Sequence, residues 1–286
     1  MQIIKTIENI RPIIRDAHFK KKIVGFVPTM GSLHPGHLSL VETSQKECDC
    51  TVLSIFVNPI QFDEENDLTS YPRDSETDIR IAQDAGVDIL FFPEEKQMYS
   101  KGFSTYVEVC GQTTNTLCGI SRPGHFRGVA TVVCKLLNIV QPDKTYFGLK
   151  DAQQAIVISK MIDDLNLPVE IRLMPSVREE DGLAYSSRNR NLSEKERKSS
   201  LVLYRALLYA KKRIMEENAR DAMKITAELY EMVNAVKGNM IDYISIVNLP
   251  ALEDVKEIKG TIMIAMAVYF GKTKLIDNIV LKVDAK

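Results

Sequence analysis

Strands alternate with helices along the first two-thirds of the chain, which predicts an α/β fold on a parallel sheet, followed by a smaller α+β unit. Three observations carry this. Short β-branched runs are separated by stretches with helical apolar spacing. Gly/Pro-rich turns sit where one gives way to the other. After Arg190 the composition shifts to a charged helical segment and three strand-like runs.

In order, residues 6–17 carry Ile7, Ile10, Ile14 and Ala17 at helical spacing. The spacing then predicts a strand at 23–27, a helix near 37–46, a strand at 51–57 and a helix near 74–85. Gly86 closes that helix at the position after its cap. A strand follows at 87–92, then a helix at 129–140, a strand at 145–147, a helix at 152–165 and a strand at 169–173. Such alternation implies crossovers and a sheet covered on both faces. Beyond it, Ser193 and Glu196 form a capping box that opens a long helix toward Glu217. A second helix near 221–236 and strands at 241–247, 261–270 and 275–283 complete the chain. The domain boundary is expected near 175–177, giving domains 1–176 and 177–286.

A length of 286 residues suits one large or two modest domains. With 45% apolar and 26% charged residues, the composition is that of a soluble globular protein. Lys and Arg number 37 against 38 acids, so no basic surplus points to nucleic acid. The apolar runs are strand-length, and no secretory signal opens the chain, so neither membrane nor export is expected. Five cysteines without a Cys-x-x-Cys pair read as free thiols in a reducing cytoplasm.

Ligands of parallel sheets bind at the carboxyl ends of the strands, which directs attention to the loops 28–37, 58–72 and 148–154. The first reads PTMGSLHPGH. A strand–turn–helix junction can deliver backbone N–H groups and a helix N-terminus to a phosphate, and His34 and His37 could add imidazole donors. It could equally be a turn with two exposed histidines. In NPIQF (58–62), Gln61 offers a donor and an acceptor for hydroxyl and carboxylate groups, or is simply solvated. In GLKDAQQ (148–154), Lys150 suits a phosphate, Asp151 either binds ribose hydroxyls or caps a helix, and Gln154 lies one turn from Lys150. In DGLAYSSRN (181–189), two hydroxyls and a guanidinium form either an anion clamp or a linker. RPGHFRG (122–128) reads first as a structural element of a turn and a subunit contact, and second as an anion site. P-loop, dinucleotide-fingerprint, zinc-helix and nucleophile-elbow motifs are absent from the sequence.

Together these five blocks, in this order and over nearly the whole length, resemble the pantothenate synthetase (pantoate–β-alanine ligase) family, within the HxGH nucleotidyltransferase superfamily. The resemblance implies a Rossmann-like domain that binds ATP and pantoate, and a smaller C-terminal domain acting as a lid. It implies a two-step reaction: adenylation of pantoate with release of pyrophosphate, then attack by β-alanine to give pantothenate and AMP. Mg2+ accompanies ATP, and the protein is expected as a cytoplasmic homodimer. By the same resemblance, Met30, Gly31, Ser32, Leu33, His34, Pro35, Gly36 and His37 line the ATP site. Gly148, Leu149, Lys150, Asp151 and Val177 join them, as do Tyr185, Ser186, Ser187 and Arg188. Gln61 and Gln154 hold pantoate, with Gln61 also near β-alanine, and His37, His34 and Lys150 are the catalytic donors. No carboxylate cage for a metal is evident. Leu149, where many members carry a charge, and Tyr185, where a smaller or aliphatic side chain is common, depart from the family pattern. The alternatives are another HxGH-type nucleotidyltransferase and a catalytically silent nucleotide-binding regulator.

Overall fold

The structure, a computed structural model, describes residues 1–62, 68–69 and 71–284. The chain forms two compact units. The first comprises Met1–Val109, Arg122–Leu149 and Gln153–Ser176; the second comprises Cys110–Ser121, Lys150–Ala152 and the chain from Val177 onward.

Six parallel strands organise the first unit: β1 (Gln2–Ile4), β2 (Val24–Thr29), β3 (Cys50–Ile55), β4 (Ile89–Phe91), β5 (Lys144–Gly148) and β6 (Glu170–Met174). Their order is β1-β4-β3-β2-β5-β6. The longer helices along this part of the chain, among the described residues, are α1 (Ile7–Phe19), α2 (Pro35–Glu47), α3 (Ser75–Asp84), α4 (His125–Val140) and α5 (Ala152–Asp164). Every residue of β3 is buried, as expected of a strand covered on both faces. Val27, Leu53 and Leu90 from neighbouring strands pack with Leu40 and Val41 of α2 and with Leu33 of the preceding loop. The chain runs from β2 to β3 and β4 on one side, then returns to β5 on the other. The order reverses between β2 and β5, which is where ligands of such sheets bind.

Local chemistry accounts for the helix ends. Thr6 caps α1 by accepting from the Asn9 amide at 3.3 Å, and Ile10, Ile14 and Ala17 turn inward. Asp74 caps α3 through the Thr77 amide at 3.1 Å, and Gly86, at φ +75°, follows its end. Helix α4 starts at His125, four residues before the expected start, because Gly124 at φ +80° lets the chain turn directly into it. Strand β1 has no counterpart in the expectations. At three residues it is too short for a periodic pattern, and its pairing of Gln2 with Ile89 defines it.

The second unit holds the antiparallel sheet β7 (Asn239–Asn248), β8 (Gly260–Phe270) and β9 (Thr273–Val283). The single helix expected over 193–217 is two: α6 (Glu194–Ser200) and α7 (Val202–Met215). The Ser193–Glu196 capping box opens α6 as the sequence predicts. The break follows from buried Ser200, whose hydroxyl donates to the Arg197 carbonyl at 2.8 Å and competes with the helical ladder. Helix α8 is Ala222–Asn234. Leu203, Leu207 and Ile214 of α7 pack with Ile225, Leu229 and Val233 of α8 and Ile262, Ile264 and Met266 of β8. Burying each large aliphatic side chain contributes roughly 1.5–3 kcal/mol. Among the described residues, no helix is long and apolar enough to cross a membrane, and all five cysteines are free thiols.

Candidate active site

The loop after β2 is fastened from within. Thr29 Oγ1 donates to the Ser54 carbonyl at 2.8 Å and accepts from the Gly31 amide at 3.2 Å. The Ser32 and Leu33 amides donate to the two oxygens of Asp78 at 2.8 and 2.7 Å. The Gly36 amide donates to His34 Nδ1 at 3.2 Å, and the His37 and Leu38 amides donate to the His34 carbonyl at 2.8 and 3.2 Å. The sequence suggests a cradle of loop amides for a phosphate. The structure corrects this, because the amides of residues 31–33 and 36–38 are committed to intramolecular acceptors and Pro35 has none to offer. What the loop presents is side chains. Gly31 at φ +84° and Ser32 at φ +51° are both left-handed, a conformation that for serine costs about 1–2 kcal/mol. Such strain persists only where the surroundings enforce it.

His34 caps α2, and its ring stacks on that of His37 with centroids 4.0 Å apart and planes at 30°. Both rings are half-buried. Because His34 Nδ1 accepts from the Gly36 amide, its neutral form carries the proton on Nε2. The pair stands on the first turn of α2, whose amino end favours negative charge.

Gln61 ends a 3-10 turn, Pro59–Gln61, just beyond β3, and it is buried. Its side-chain oxygen accepts from Asn58 Nδ2 at 2.9 Å, and its Nε2 donates to Met30 Sδ at 3.1 Å. Asn58 is held in turn by the Tyr99 hydroxyl, which donates to Asn58 Oδ1 at 2.7 Å. Burial raises Tyr99 far above the ordinary phenol range and keeps it a donor. The backbone is fixed too, since His125 Nδ1–H donates to the Gln61 carbonyl at 2.8 Å. Gly128 admits the turn because a Cβ there would overlap the Ile60 carbonyl and lie 2.6 Å from Gln61 Cα. The RPGHFRG block therefore braces the glutamine turn. The rest of the 58–72 loop, residues 63–67 and 70, lies outside the described residues.

Met30 and Gln61 are thus joined by a side-chain contact, and His34 and His37 by ring stacking, on the loops that follow β2 and β3. Gly148 and Leu149, half-buried, leave the end of neighbouring β5, and half-buried Gln154 lies in the first turn of α5.

The second unit carries the remaining expected residues. The Lys150 ammonium is 3.5 Å from exposed Asp151, and Asn278 Nδ2 donates to the Lys150 carbonyl at 3.0 Å. The Val177 carbonyl accepts from the Tyr185 amide at 3.1 Å. Ser186 caps the 3-10 turn Ser187–Asn191 through the Arg188 amide at 3.3 Å. Arg178 braces the base of this loop: it makes two bonds of 2.6 and 2.8 Å to Asp277, one to the Gly182 carbonyl, and stacks on Tyr204.

Sequence reasoning missed Asp78, the roles of Asn58 and Tyr99, and the bond from His125 to Gln61. Asn58 and His125 lie inside motifs that were singled out, whereas Asp78 and Tyr99 carry no local signal.

The sequence profile described as Pantoate-beta-alanine ligase matches residues 2–280. Pantothenate synthetase of Acetivibrio thermocellus is 51% identical over 283 residues, which is 99% of this chain and 100% of that protein. That of Caldicellulosiruptor bescii is 51% identical over the full length of both. The crystal structure of pantothenate synthetase from Thermus thermophilus superposes with a TM-score of 0.92 at 43% identity, covering 100% of both chains. Pantoate-beta-alanine ligase from Francisella tularensis, complexed with beta-gamma ATP and beta-alanine, gives a TM-score of 0.80 at 35% identity, covering 98% of this chain and 97% of that one. With full-length matches to both sequences and structures, the chain belongs to the pantoate-beta-alanine ligase family and is an enzyme that condenses pantoate with β-alanine.

Proposed function

We propose that this enzyme activates pantoate as its adenylate, with His34, His37 and Lys150 meeting the phosphates of ATP and Gln61 and Gln154 holding pantoate. The observation that carries the reading is the stacked His34–His37 pair on the first turn of α2, with Gln61 held on the loop after the neighbouring strand by Asn58 and Met30. In the first step the pantoate carboxylate attacks the α-phosphorus of ATP, and pyrophosphate leaves with the electron pair of the broken P–O bond. Pantoate is already ionised at neutral pH, so no base is needed. The barrier is the approach of two anions and the charge that grows on the phosphates.

The two histidines divide this work. Protonating His34 would set an N–H against the Gly36 N–H, so it stays neutral and offers Nε2–H. Two imidazolium rings at 4.0 Å would repel, so the one positive charge belongs to His37. Gln61 spends one lone pair on Asn58 and one N–H on Met30, which leaves a donor and an acceptor for the hydroxyl and carboxylate groups of pantoate. In the second step the free amine of β-alanine attacks the acyl carbon, and the former carboxylate oxygen departs with AMP.

Gly148 and Asp151 act on the ribose and the Val177 backbone on the adenine side, Leu149 and Tyr185 flank these contacts in the ATP site, and Ser186, Ser187 and Arg188 of the C-terminal domain clamp the triphosphate. Among the described residues no cluster of three or more His, Cys, Asp or Glu is placed to hold an ion. Mg2+ belongs with the ATP oxygens in this reading, and no step depends on a protein cage for it. A cytoplasmic homodimer is part of the same proposal.

The test is the fate of pantoate labelled with 18O in its carboxylate. Transfer of one labelled oxygen to AMP is expected. Unlabelled AMP would rule out the acyl adenylate.

A further inference from the structure

We infer that Asp78 is a positioning residue for the reaction: a buried carboxylate that sets the histidine loop without touching substrate. The inference rests on the role proposed above for His34 and His37. Asp78 sits in the first half of α3, its amide bonded to the Asp74 carbonyl at 2.9 Å, and is 4% exposed. Its two oxygens accept one amide each, from Ser32 and Leu33, across 46 and 45 residues of sequence. A Cβ on Gly31 would lie 2.8 Å from Asp78 Oδ2 and 3.1 Å from Ile55 Cγ2, so the loop is seated against the carboxylate with no slack.

The loop so gripped contains both left-handed residues, Gly31 and Ser32. Leu33, 2% exposed, plugs the core beside it. The next residue is His34, whose ring and carbonyl start α2. The position of the carboxylate is thereby relayed through two peptide units to the stacked rings. A shift of about 1 Å in such a pair is enough to cost on the order of 10² in rate. The carboxylate also gives an electrostatic reason for using side chains toward the phosphates, because it occupies the loop amides from behind.

Asp78→Asn keeps the shape but brings an NH2 donor against one of two amide donors, so the loop must move. The experiment measures pantoate-dependent ATP–pyrophosphate exchange per folded molecule, with circular dichroism to count folded protein and ring chemical shifts of His34 and His37. The expected result is a fall in exchange kcat of at least about tenfold, a pantoate KM changed less than about threefold because Gln61 is held separately by Asn58, and displaced His34 and His37 ring signals. Should D78N not fold, Gly31→Ala disturbs the same seat from the loop side and is expected to show the same split. A folded D78N or G31A with exchange within twofold of the parent and unmoved ring signals reduces Asp78 to a stabilising residue and overturns the inference. His37→Ala, run in parallel, separates the two claims. If exchange is unchanged in H37A, the histidine reading fails, whereas a fall in H37A with a silent D78N removes only the role of Asp78.

Discussion

His34 and His37 are three residues apart on one helical turn, yet their surroundings differ. His34 spends Nδ1 on the Gly36 amide, and in the proposed mechanism His37 is the charged donor. Removing the charged donor should therefore cost more than removing the neutral one. His37→Ala is expected to lower pantoate-dependent exchange by about 10²–10³, or roughly 2.7–4 kcal/mol in the barrier. His34→Ala should lose less in the barrier but also loosen the start of α2, a cap worth about 1 kcal/mol. Steady-state exchange together with thermal melting distinguishes the two, and an H37A enzyme with parental kcat would refute the assignment.

At the scale of elements, the glutamine turn depends on α4 lying close beneath it. Gly128→Ala would drive a methyl group into the Ile60–Gln61 backbone. The expected outcome is a pantoate KM raised by at least about tenfold, with the ATP KM nearly unchanged, since the His34–His37 turn does not rest on Gly128. Equal effects on both substrates would place the damage elsewhere. The sequence allowed most of these elements to be anticipated, because β2, β3, α3 and α4 carry strong apolar runs or caps. It did not reveal β1, which exists only through its partner β4, or the break at Leu201, which depends on the Ser200 hydroxyl reaching the Arg197 carbonyl. The motif blocks contain the histidines and Gln61 and also the supports Asn58 and His125, but not Asp78 or Tyr99. Asp78 is one acid among several on α3, and only its burial against two amides far off in sequence distinguishes it. The loop amides read as a cradle in the sequence because their acceptors, Thr29 and His34 within the loop and Asp78 far off in sequence, are set only by the folded chain.

Across the whole molecule, each unit carries its own apolar core, and long-range polar ties complete it. In the second unit the Arg178–Asp277 pair joins residues 99 apart, with the carboxylate side chain 1% exposed. Breaking one side of a buried pair leaves an uncompensated charge, at a cost of about 3–5 kcal/mol. Arg178 is 18% exposed, so Asp277→Ala is expected near the lower end, about 3 kcal/mol. Urea unfolding checks this. A loss below about 1 kcal/mol would mean that solvent already screens the pair.

ATP–pyrophosphate isotope exchange with Mg2+ and without β-alanine decides whether the His34–His37 pair and Gln61 serve an acyl-adenylate step. Exchange that appears only when pantoate is added is the predicted result, because it requires a reversible adenylation of that acid. Measurable ATP binding with no pantoate-dependent exchange would rule out pantoate adenylation at this site.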